Sequence, residues 1–448
     1  MNPNIFREYD IRGRIPDELD QEIVYRMGLS FGTYYHDRGA VKIGLGRDCR
    51  LSSVEFREAL VKGLQESGIG VIDIGMVPTP LLYFSLFHLD LDGGIQLTAS
   101  HNPPEYNGFK VCLGKTSIHG EEIQKIREIG ESGKFYRGKG SVEEIDVIRS
   151  YLDYLQENLH QGSVPRKVVV DAGNGMGGMV APEVYATMGV EVETLFCEPD
   201  GRFPNHHPDP TVPENLTDLI SKVSELSADL GIAFDGDADR IGVVDSEGAI
   251  IWGDQLMIIF SRDLLERNPG AKIIGEVKCS QILFDDIRSH GGDPIMWKVG
   301  HSLIKSKLKE EGALLAGEMS GHLFFADRYF GYDDAIYAGA RLLEILTKKE
   351  ESIMDLLADL PRTVNTPEIR LDCPDEKKFH VVSSLVEDFK KEYEVIDVDG
   401  ARVIFDGGWG LIRASNTQPV LVLRFEAQEE TRLEEIRQIF MDKLNRIL

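Results

Sequence analysis

The most reactive combination of side chains in this sequence lies in residues 98–110, TASHNPPEYNGFK, where a hydroxyl, an imidazole and a lysine surround a turn. Residues 93–98 have the pattern of a short strand. The prolines at 103 and 104 cannot continue it, because proline lacks an amide donor and restricts the residue before it. Ser100 is therefore predicted on a sharp, exposed bend beside His101. A hydroxyl in such a place is suited to act as a nucleophile or to carry a phosphate, with an ordinary polar turn as the alternative.

A second reactive group is the sequence DGDADR at residues 235–240, which directly follows an apolar run. Its three carboxylates belong to Asp235, Asp237 and Asp239. Carboxylates that alternate past a strand end can converge on one hard cation, and oxygen-only ligands favour Mg²⁺ or Ca²⁺ over zinc. An EF-hand is excluded, because Arg240 and Ser246 stand where that loop needs glycine and glutamate. We predict a magnesium site with Arg240 directed at the same anion, and a solvated acidic turn is the alternative.

Two further loops carry groups that suit sugar phosphates. In GEMSGH at residues 317–322, two glycines let the backbone approach a ligand, and the polar side chains can pair with sugar hydroxyls. In RASNTQP at residues 413–419, an arginine beside small polar side chains can surround a phosphate. A plain connecting loop and a hairpin turn are the respective alternatives.

A glycine-rich motif at residues 173–178, GNGMGG, is compatible with dinucleotide binding. It follows a predicted strand at 167–171, precedes a predicted helix, and has Glu193 about where a ribose-binding acid lies. A nicotinamide-dependent dehydrogenase is therefore an alternative. It is disfavoured, because the loop occupies an equivalent position in an internal repeat and the other clusters suit phosphate chemistry.

Three repeats of one strand, loop, helix and strand pattern are predicted to position these loops. The first strands begin at Lys42, Lys167 and Lys272, the helices end near Gly68, Gly189 and Gly291, and the second strands begin near Val71, Val190 and Ile295. Glycine is the expected helix terminator, and this order predicts mixed or parallel sheets covered by helices.

The last part of the chain breaks the repeat and is predicted to be an α+β unit after a linker at residues 361–367. Its predicted helices cover 376–393 and 429–448, and its predicted strands cover 394–398, 401–405, 411–413 and 420–426.

The overall composition limits the classes of function. A chain of 448 residues with 42% hydrophobic residues is too long for one core and indicates several domains. The net charge of -26 argues against nucleic acid or an anionic membrane as partner, so an anionic substrate needs a local positive cleft. The five cysteines are scattered without metal-site spacing. With no signal-peptide pattern and no membrane-span pattern, a cytoplasmic location is expected. The oligomeric state stays open.

These motifs, in this order, resemble the α-D-phosphohexomutase superfamily, and within it the phosphomannomutase/phosphoglucomutase group. The resemblance covers the whole length, from FREYDIRG at residues 6–13 onward. It implies that Ser100 carries the phosphate and that the three aspartates hold one Mg²⁺ together with a phosphoserine oxygen. We assign catalytic roles to Arg12, Ser100, His101, Lys110 and Arg240. We assign substrate binding to Tyr9, Lys278, His301, Glu318, Met319, Ser320, Gly321, His322, Arg413, Ala414, Ser415, Asn416 and Thr417.

The fold that this resemblance implies is α/β, with three similar mixed-sheet α/β domains and a smaller C-terminal α+β domain around a central cleft. We place these domains at residues 1–147, 148–250, 251–361 and 367–448.

The implied reaction interconverts hexose 6-phosphate and hexose 1-phosphate through a hexose 1,6-bisphosphate, which also serves as activator. Lys110, His101 and His322 remain equal candidates for the general base. Phosphoglucosamine mutase is one alternative, although Met319 is similar to the mannose and glucose group, because glucosamine relatives usually carry glutamine there. A non-catalytic sugar-phosphate sensor is the other, and it is disfavoured because the reactive set is intact.

Overall fold

Four successive sheets with their own helices make up the computed structural model, which describes residues 1–447. Within those residues, no helix is long and apolar enough to cross a membrane.

The first sheet has seven strands and four accompanying helices. They are β1 Ile11–Arg14, α1 Gln21–His36, β2 Lys42–Arg47, α2 Ser53–Glu66, β3 Gly70–Met76, α3 Thr79–His88, β4 Gly93–Leu97, β5 Tyr106–Leu113, β6 Thr116–Ser117, α4 Glu121–Ser132 and β7 Val142–Glu144. The strand order is β1-β5-β4-β2-β3-β7, with β6 beside β5. The sheet is mixed, because β2 runs parallel to β3 and β4 whereas β4 and β5 are antiparallel.

The second sheet has five strands in the order β12-β11-β10-β8-β9. Its elements are α5 Ile148–Asn158, β8 Lys167–Asp171, α6 Ala181–Thr187, β9 Glu191–Leu195, α7 Thr217–Leu226, β10 Leu230–Phe234, β11 Ile241–Asp245 and β12 Ile250–Ile251. β8 is parallel to β9 and β10, and β10 forms an antiparallel hairpin with β11.

The third sheet has four strands in the order β14-β13-β15-β16. Its elements are α8 Gly253–Arg267, β13 Lys272–Glu276, α9 Gln281–Ser289, β14 Asp293–Trp297, α10 His301–Glu311, β15 Leu315–Gly317, β16 Leu323–Phe325 and α11 Ala335–Lys348. As in the second sheet, the parallel strands end in one antiparallel hairpin.

The fourth sheet is antiparallel, with strand order β17-β22-β21-β20-β19 and β18 also paired to β22. Its elements are β17 Val364–Asn365, β18 Ile369–Asp372, α12 Asp375–Phe389, β19 Glu394–Ile396, β20 Ala401–Phe405, β21 Gly408–Ala414, β22 Val420–Ala427 and α13 Glu430–Leu444. The short strand β17 falls inside the segment predicted as a linker. The last position of the predicted C-terminal helix, Leu448, lies outside the described residues.

The predicted repeat is confirmed, and glycine ends its helices for the expected reason. Gly68, Gly189 and Gly291 follow the C-termini of α2, α6 and α9, with φ angles of 77°, 71° and 77°. Only glycine adopts this left-handed conformation at little cost.

Packing explains the glycine-rich motif at 173–178. A Cβ atom at Gly177 would lie 2.5 Å from the ring of Phe234, and one at Gly178 would lie 2.1 Å from the carbonyl oxygen of Cys197. These glycines therefore allow the loop at 173–178 to pack closely against the sheet.

The buried apolar residues form several clusters, and two of them show how the units are organised. The largest cluster runs from the first through the third sheet and includes Leu82, Val170 and Leu342. The fourth sheet has its own cluster, which includes Phe389 and Phe440. The first three units are thus joined by apolar packing, and the fourth, with its own core, packs on the third through Val277, Trp409 and Leu411.

Candidate active site

Ser100 lies in the loop between β4 and β5, with a φ of 50° in the left-handed region. Its Oγ donates to Oδ2 of Asp235 at 2.6 Å and lies 3.1 Å from Nδ1 of His101. The expectation of an exposed bend is wrong, because only 2% of Ser100 is accessible. The loop between β10 and β11 covers it: a Cβ atom at Gly236 would lie 2.4 Å from the carbonyl oxygen of Ser100.

The three aspartates of that covering loop are fully buried. Oδ1 of Asp235 accepts hydrogen bonds from the backbone amides of Asp239 and Arg240 at 3.0 and 3.1 Å, which close the turn. Oδ2 of Asp237 accepts from the hydroxyl of Thr79, the first residue of α3, at 2.5 Å. Loops from the first and second sheets therefore share one polar interior.

Lys110 of β5 supplies the positive charge inside this cluster. Its Nζ donates to Oδ2 of Asp237 at 2.6 Å and to Asp239. Burial alone would lower the pKa of Lys110, but the two carboxylates outweigh it and raise the pKa, so Lys110 is an ammonium group. Burial alone would raise the pKa of Asp237, but Lys110 outweighs it and holds the pKa below its usual range. Asp235 accepts no side-chain hydrogen bond from a cation within residues 1–447, so burial and its two acidic neighbours outweigh the charges of Arg240 and Lys110 and raise its pKa.

The aspartate cluster fits a hard cation. One carboxylate oxygen from each aspartate lies within 4.8 Å of the others. Among the described residues, Oδ1 of Asp237 and Oδ1 of Asp239 have no hydrogen-bond partner. Buried carboxylate oxygens are costly unless they are paired or bind a cation, and oxygen donors suit Mg²⁺.

A second group of possible ligands, Asp239, His322 and Asp333, does not fit a metal. Nε2 of His322 accepts from Nε of Arg240 at 2.9 Å, because a guanidinium only donates. Nδ1 of the neutral ring then carries the proton, and it lies 3.2 Å from Oδ2 of Asp333. This nitrogen has no free lone pair for a metal.

His101 belongs to the Ser100 loop, and Arg12 contacts the same loop. Burial, assisted by the charges of Arg240 and Arg12, lowers the pKa of His101 well below its ordinary value, so the ring is neutral near pH 7. Nη1 of Arg12 donates to Oδ1 of Asn102 at 2.6 Å, and Arg12 also pairs with Asp10 at 2.6 Å.

The predicted sugar loop connects β15 to β16 in a tight hairpin. Oε1 of Glu318 accepts from the amide of Gly300 at 2.7 Å, and the amide of Met319 donates to Glu276 at 3.2 Å. Gly321 has a φ of 92°, and a Cβ atom there would lie 2.2 Å from the carbonyl oxygen of Ile241. Gly321 thus allows the sugar loop to lie against the end of the aspartate hairpin, with Ser320 beside it.

The predicted phosphate loop connects β21 to β22. Nε of Arg413 donates to Oδ2 of Asp399 at 2.9 Å, and the amide of Thr417 donates to Oγ of Ser415 at 3.3 Å. Burial alone would lower the pKa of Arg413, but Asp399 outweighs it, so the guanidinium stays charged. Ala414 is the last residue of β21 and is buried below the loop.

Tyr9 and Asn416 join the phosphate loop to the rest of the cleft. Nδ2 of Asn416 donates to the hydroxyl of Tyr9 at 2.6 Å, and that hydroxyl donates to the carbonyl oxygen of Val299 at 2.8 Å. The ring of His301 lies between Tyr9 and His322, with ring centroids 6.1 and 5.5 Å apart. Because His322 also binds Arg240, this row of contacts connects the phosphate loop to the aspartates.

Lys278 follows β13 and faces the same cleft. Its Nζ lies 3.3 Å from Oε2 of Glu368 and 3.9 Å from Oε1 of Glu276. Burial alone would lower the pKa of Lys278, but the two glutamates outweigh it and raise the pKa.

Sequence reasoning missed several residues of this site. Asp333 accepts from Nζ of Lys305 at 2.8 Å and lies between His301 and His322. The signal available was the pair of aspartates before α11, of which only Asp334 acts as a helix cap. Arg50 was also missed, although an arginine in RDCR directly after a buried strand is unusual for a plain turn.

Three α/β units followed by a smaller antiparallel unit, with reactive loops from all four facing one cleft, define the phosphohexomutase class of enzymes. Family models of the phosphoglucomutase/phosphomannomutase family match residues 3–137, 149–248 and 252–364 as α/β/α domains I, II and III, and residues 368–443 as the C-terminal domain. The chain therefore belongs to the phosphoglucomutase/phosphomannomutase family.

Individual relatives agree with this assignment over nearly the full length. A phosphomannomutase/phosphoglucomutase of Pseudomonas aeruginosa is 48% identical over 445 residues, which are 99% of this chain and 96% of the relative. A phosphoglucomutase of Neisseria gonorrhoeae is 46% identical over 98% of this chain and 96% of the relative. A crystal structure of a phosphoglucomutase/phosphomannomutase family protein from Burkholderia thailandensis superposes with a TM-score of 0.94. It has 44% identity and covers 99% of this chain and 97% of that one.

Proposed function

We propose that this phosphohexomutase interconverts the 6-phosphates and 1-phosphates of mannose and glucose, with Ser100 as the phosphate carrier and the hexose 1,6-bisphosphate as intermediate and activator. The observation that carries the proposal is the 2.6 Å contact between Oγ of Ser100 and Asp235, inside a cluster of three aspartates and Lys110. Such a cluster suits a carrier that gains and loses negative charge.

In the transfer step, the free hydroxyl oxygen of the sugar monophosphate attacks phosphorus, and the bond from phosphorus to Oγ of Ser100 breaks. The hydroxyl proton passes to a base, and the product is the 1,6-bisphosphate. After the bisphosphate turns over in the cleft, Oγ of Ser100 loses its proton and attacks the other phosphorus. The bond from that phosphorus to the sugar oxygen breaks, and the sugar oxygen takes up a proton, which releases the isomeric monophosphate. Little covalent chemistry falls on the protein, so positioning and charge neutralisation supply most of the acceleration.

Asp235, Asp237 and Asp239, with a phosphoserine oxygen, would hold Mg²⁺, and the ion would supply charge neutralisation at the transferring group. Lys110 and Arg240 add fixed positive charge there. Lys110 is bound to Asp237 and Asp239, and Arg240 is held by His322, so both are in place before substrate arrives.

Geometry favours His101 as the general base. Nζ of Lys110 is engaged by two carboxylates, and Nε2 of His322 is occupied by Arg240. Nδ1 of His101 lies 3.1 Å from Oγ of Ser100, the oxygen through which the phosphate leaves and returns. A base at that oxygen takes the proton of Ser100 when Oγ attacks and returns it when Oγ leaves, whereas the sugar hydroxyl lies in line on the far side of phosphorus. Arg12 contacts the same loop and would bind the reacting phosphate.

The phosphate that does not react would lie in the loop of Arg413, Ala414, Ser415, Asn416 and Thr417, with Tyr9 and Lys278 at its edge. Arg413 offers charge-assisted hydrogen bonds, and the neighbouring hydroxyl, amide and backbone groups offer neutral ones. Hexose phosphates are thus the small-molecule partners that we propose.

The sugar ring would lie between these two phosphate sites, against Glu318, Met319, Ser320, Gly321, His322 and His301. Mannose and glucose differ only in orientation at C2. Because Met319 is adaptable and is a weak acceptor, we expect modest discrimination at C2.

Phosphorylation of Ser100 tests the proposal directly. We expect incubation with glucose 1,6-bisphosphate to place phosphate on Ser100, as measured by intact mass and peptide mapping. Ser100→Ala should abolish both the label and the turnover, while Ser85→Ala, which removes a hydroxyl buried in α3, serves as control. Phosphate found elsewhere, with Ser100 never modified, would refute the carrier role.

A comparison of substrates tests the specificity. We expect kcat/KM for mannose 1-phosphate and glucose 1-phosphate to differ by about 200-fold or less, since small differences in pocket contacts contribute about 1–3 kcal/mol. Glucosamine 1-phosphate, assayed beside them, should be the poorest substrate. A loss of several orders of magnitude for mannose or glucose, or a preference for glucosamine, would contradict the proposed substrates.

A further inference from the structure

Arg50, in the turn between β2 and α2, lies beneath the Ser100 loop and is 1% exposed. Its guanidinium donates to three carbonyl oxygens of that loop and to one at the start of β5. Nη2 donates to Ser100 and Asn102 at 2.8 and 2.5 Å, and Nη1 donates to Pro103 and Tyr106 at 2.6 and 2.9 Å. One side chain therefore binds the loop backbone on both sides of its two prolines.

The fifth donor of Arg50 is also used. Its Nε donates to Oδ2 of Asp48 at 3.1 Å, and Oδ1 of Asp48 accepts from the hydroxyl of Ser53 at 2.7 Å. Asp48 in turn is bound to the end of β4, because its amide donates to the carbonyl oxygen of Leu97 at 2.9 Å. The guanidinium thus has all five N–H groups satisfied in a fixed orientation, which the three donors of a lysine cannot reproduce.

The Ser100 loop needs such support because its own backbone is irregular and strained. Residues 98–105 lie outside every helix and strand, and Ser100 adopts a left-handed φ of 50°, which non-glycine residues rarely do. The carbonyl oxygen of Ser100 is held between the guanidinium of Arg50 on one side and Gly236 of the aspartate loop on the other.

We propose that Arg50 is the positioning residue of phosphoryl transfer: it fixes the backbone of the Ser100 loop so that Oγ of Ser100 meets the aspartates and the sugar hydroxyl in line. The proposal rests on the proposed role of Ser100 as carrier. Arg50 itself touches neither the sugar loop nor the phosphate loop, so its effect is confined to the transfer step. A displacement of about 1 Å at a reacting atom lowers a rate by about 100-fold.

The variant Arg50→Lys tests this inference. We expect kcat, and the rate at which glucose 1,6-bisphosphate phosphorylates Ser100, to fall on the order of 100-fold while KM changes by less than about twofold. Amide hydrogen exchange across residues 98–106 should accelerate in the variant, with the rest of the first unit unchanged. The matched control is Arg26→Lys, because Arg26 also donates two hydrogen bonds to a backbone carbonyl of this unit, at Gly130.

Unchanged kcat in folded Arg50→Lys, or a rise of KM without loss of kcat, would overturn the proposal. If the lysine variant does not fold, Asp48→Asn tests the proposal in its place. It leaves the four carbonyl contacts in place, but its one amide oxygen cannot replace both carboxylate oxygens, which accept from the backbone amide and from Nε of Arg50, so kcat should fall about tenfold at constant KM. An unchanged kcat in that variant would overturn the proposal as well. Failure of the parent enzyme to carry phosphate on Ser100 would instead remove the proposed function, and this inference with it.

Discussion

At the scale of single residues, the site around Ser100 is a balance of buried charge. Three carboxylates and the ammonium group of Lys110 are buried together, and Asp237 is the carboxylate that both Lys110 and Thr79 contact. Removing one charge from such a group leaves its partners uncompensated.

We therefore expect Asp237→Asn to lower kcat at least 100-fold and to make the residual activity insensitive to added Mg²⁺, because a neutral amide is a poor ligand for a hard cation. Coupled assays of glucose 1-phosphate turnover, with and without chelator, measure this. Asp397→Asn is the control, since that aspartate only forms an exposed pair with Lys390. Full activity of the parent enzyme in chelator would reassign the aspartates to a structural turn.

His206 gives a prediction about stability that is independent of catalysis. Its Nε2 lies 3.0 Å from Oδ2 of Asp171. Burial alone would lower the pKa of His206, but the hydrogen bond and charge of Asp171 outweigh it, so the pKa is raised. Protonation therefore favours the folded state: the contribution is complete below the unfolded pKa of about 6.5 and is lost as pH rises through the folded pKa.

His206→Gln should consequently lower the free energy of unfolding more at about pH 5.5 than at about pH 8.5, as measured by urea denaturation. The exposed His160, changed to glutamine, is the control. An equal loss at both pH values would mean that the pair with Asp171 is not charged in the folded state.

At the scale of elements, the hairpin of β10 and β11 and the loop after β4 meet through backbone atoms. Gly236 is the point of contact with the carbonyl oxygen of Ser100, and Gly321 is the corresponding contact between the sugar loop and Ile241. Glycine at these positions sets the distance between loops that come from different sheets.

Gly236→Ala is expected to push the two loops apart, to cost about 1–3 kcal/mol of stability, and to lower the rate of Ser100 phosphorylation by at least tenfold. Denaturation and single-turnover phosphorylation measure the two effects. Gly70→Ala is the control, since a Cβ atom there has no neighbour in residues 1–447 closer than 3.3 Å. Unaltered phosphorylation in the Gly236 variant would show that the loops adjust freely.

At the scale of the whole molecule, a chain with a net charge of -26 brings cationic side chains from all four units to the candidate site. The cations are Arg12, Lys110, Arg240, Lys278 and Arg413. The fourth unit has its own core, and it meets the third through buried Arg402, which donates to the carbonyl oxygens of Val277 and Cys279 at 2.5 and 2.8 Å. Lys278 stands between those two residues, so the fourth unit is bound to the backbone on both sides of Lys278.

Arg413→Ala should raise KM for glucose 1-phosphate by about tenfold or more, because charge-assisted hydrogen bonds contribute roughly 1.5–3 kcal/mol. Phosphate should still reach Ser100 at high bisphosphate concentration, since the aspartate cluster is untouched. Steady-state kinetics give KM, and Arg432→Ala, an exposed pair with Glu435 in the same unit, is the control.

Small-angle scattering completes that test. If the fourth unit closes on the far phosphate, bisphosphate should compact the parent enzyme but not the Arg413 variant. An unchanged KM together with identical scattering profiles would rule out such a clamp.

Much of this molecule could be predicted from local sequence. Strands such as β8 and β13, the glycines after α2, α6 and α9, and the antiparallel hairpins around the aspartate and phosphate loops follow from periodicity and turn chemistry. The strand β17 was not predictable, because a two-residue segment between prolines is too short to show an alternating pattern. It is a strand only because it pairs with β22.

The sequence by itself determined the residue types of the site and the class of chemistry, because four separated motifs carry the required donors, acceptors and carboxylates. Only the tertiary structure decided their environment. It buried Ser100 instead of exposing it, bound Lys110 between two aspartates, and occupied His322 with Arg240, which separates His101 from the other candidate bases. It also brought Arg50 to the Ser100 loop from the end of a different strand. Burial and contacts between distant segments depend on how sheets pack, and no local pattern encodes that packing.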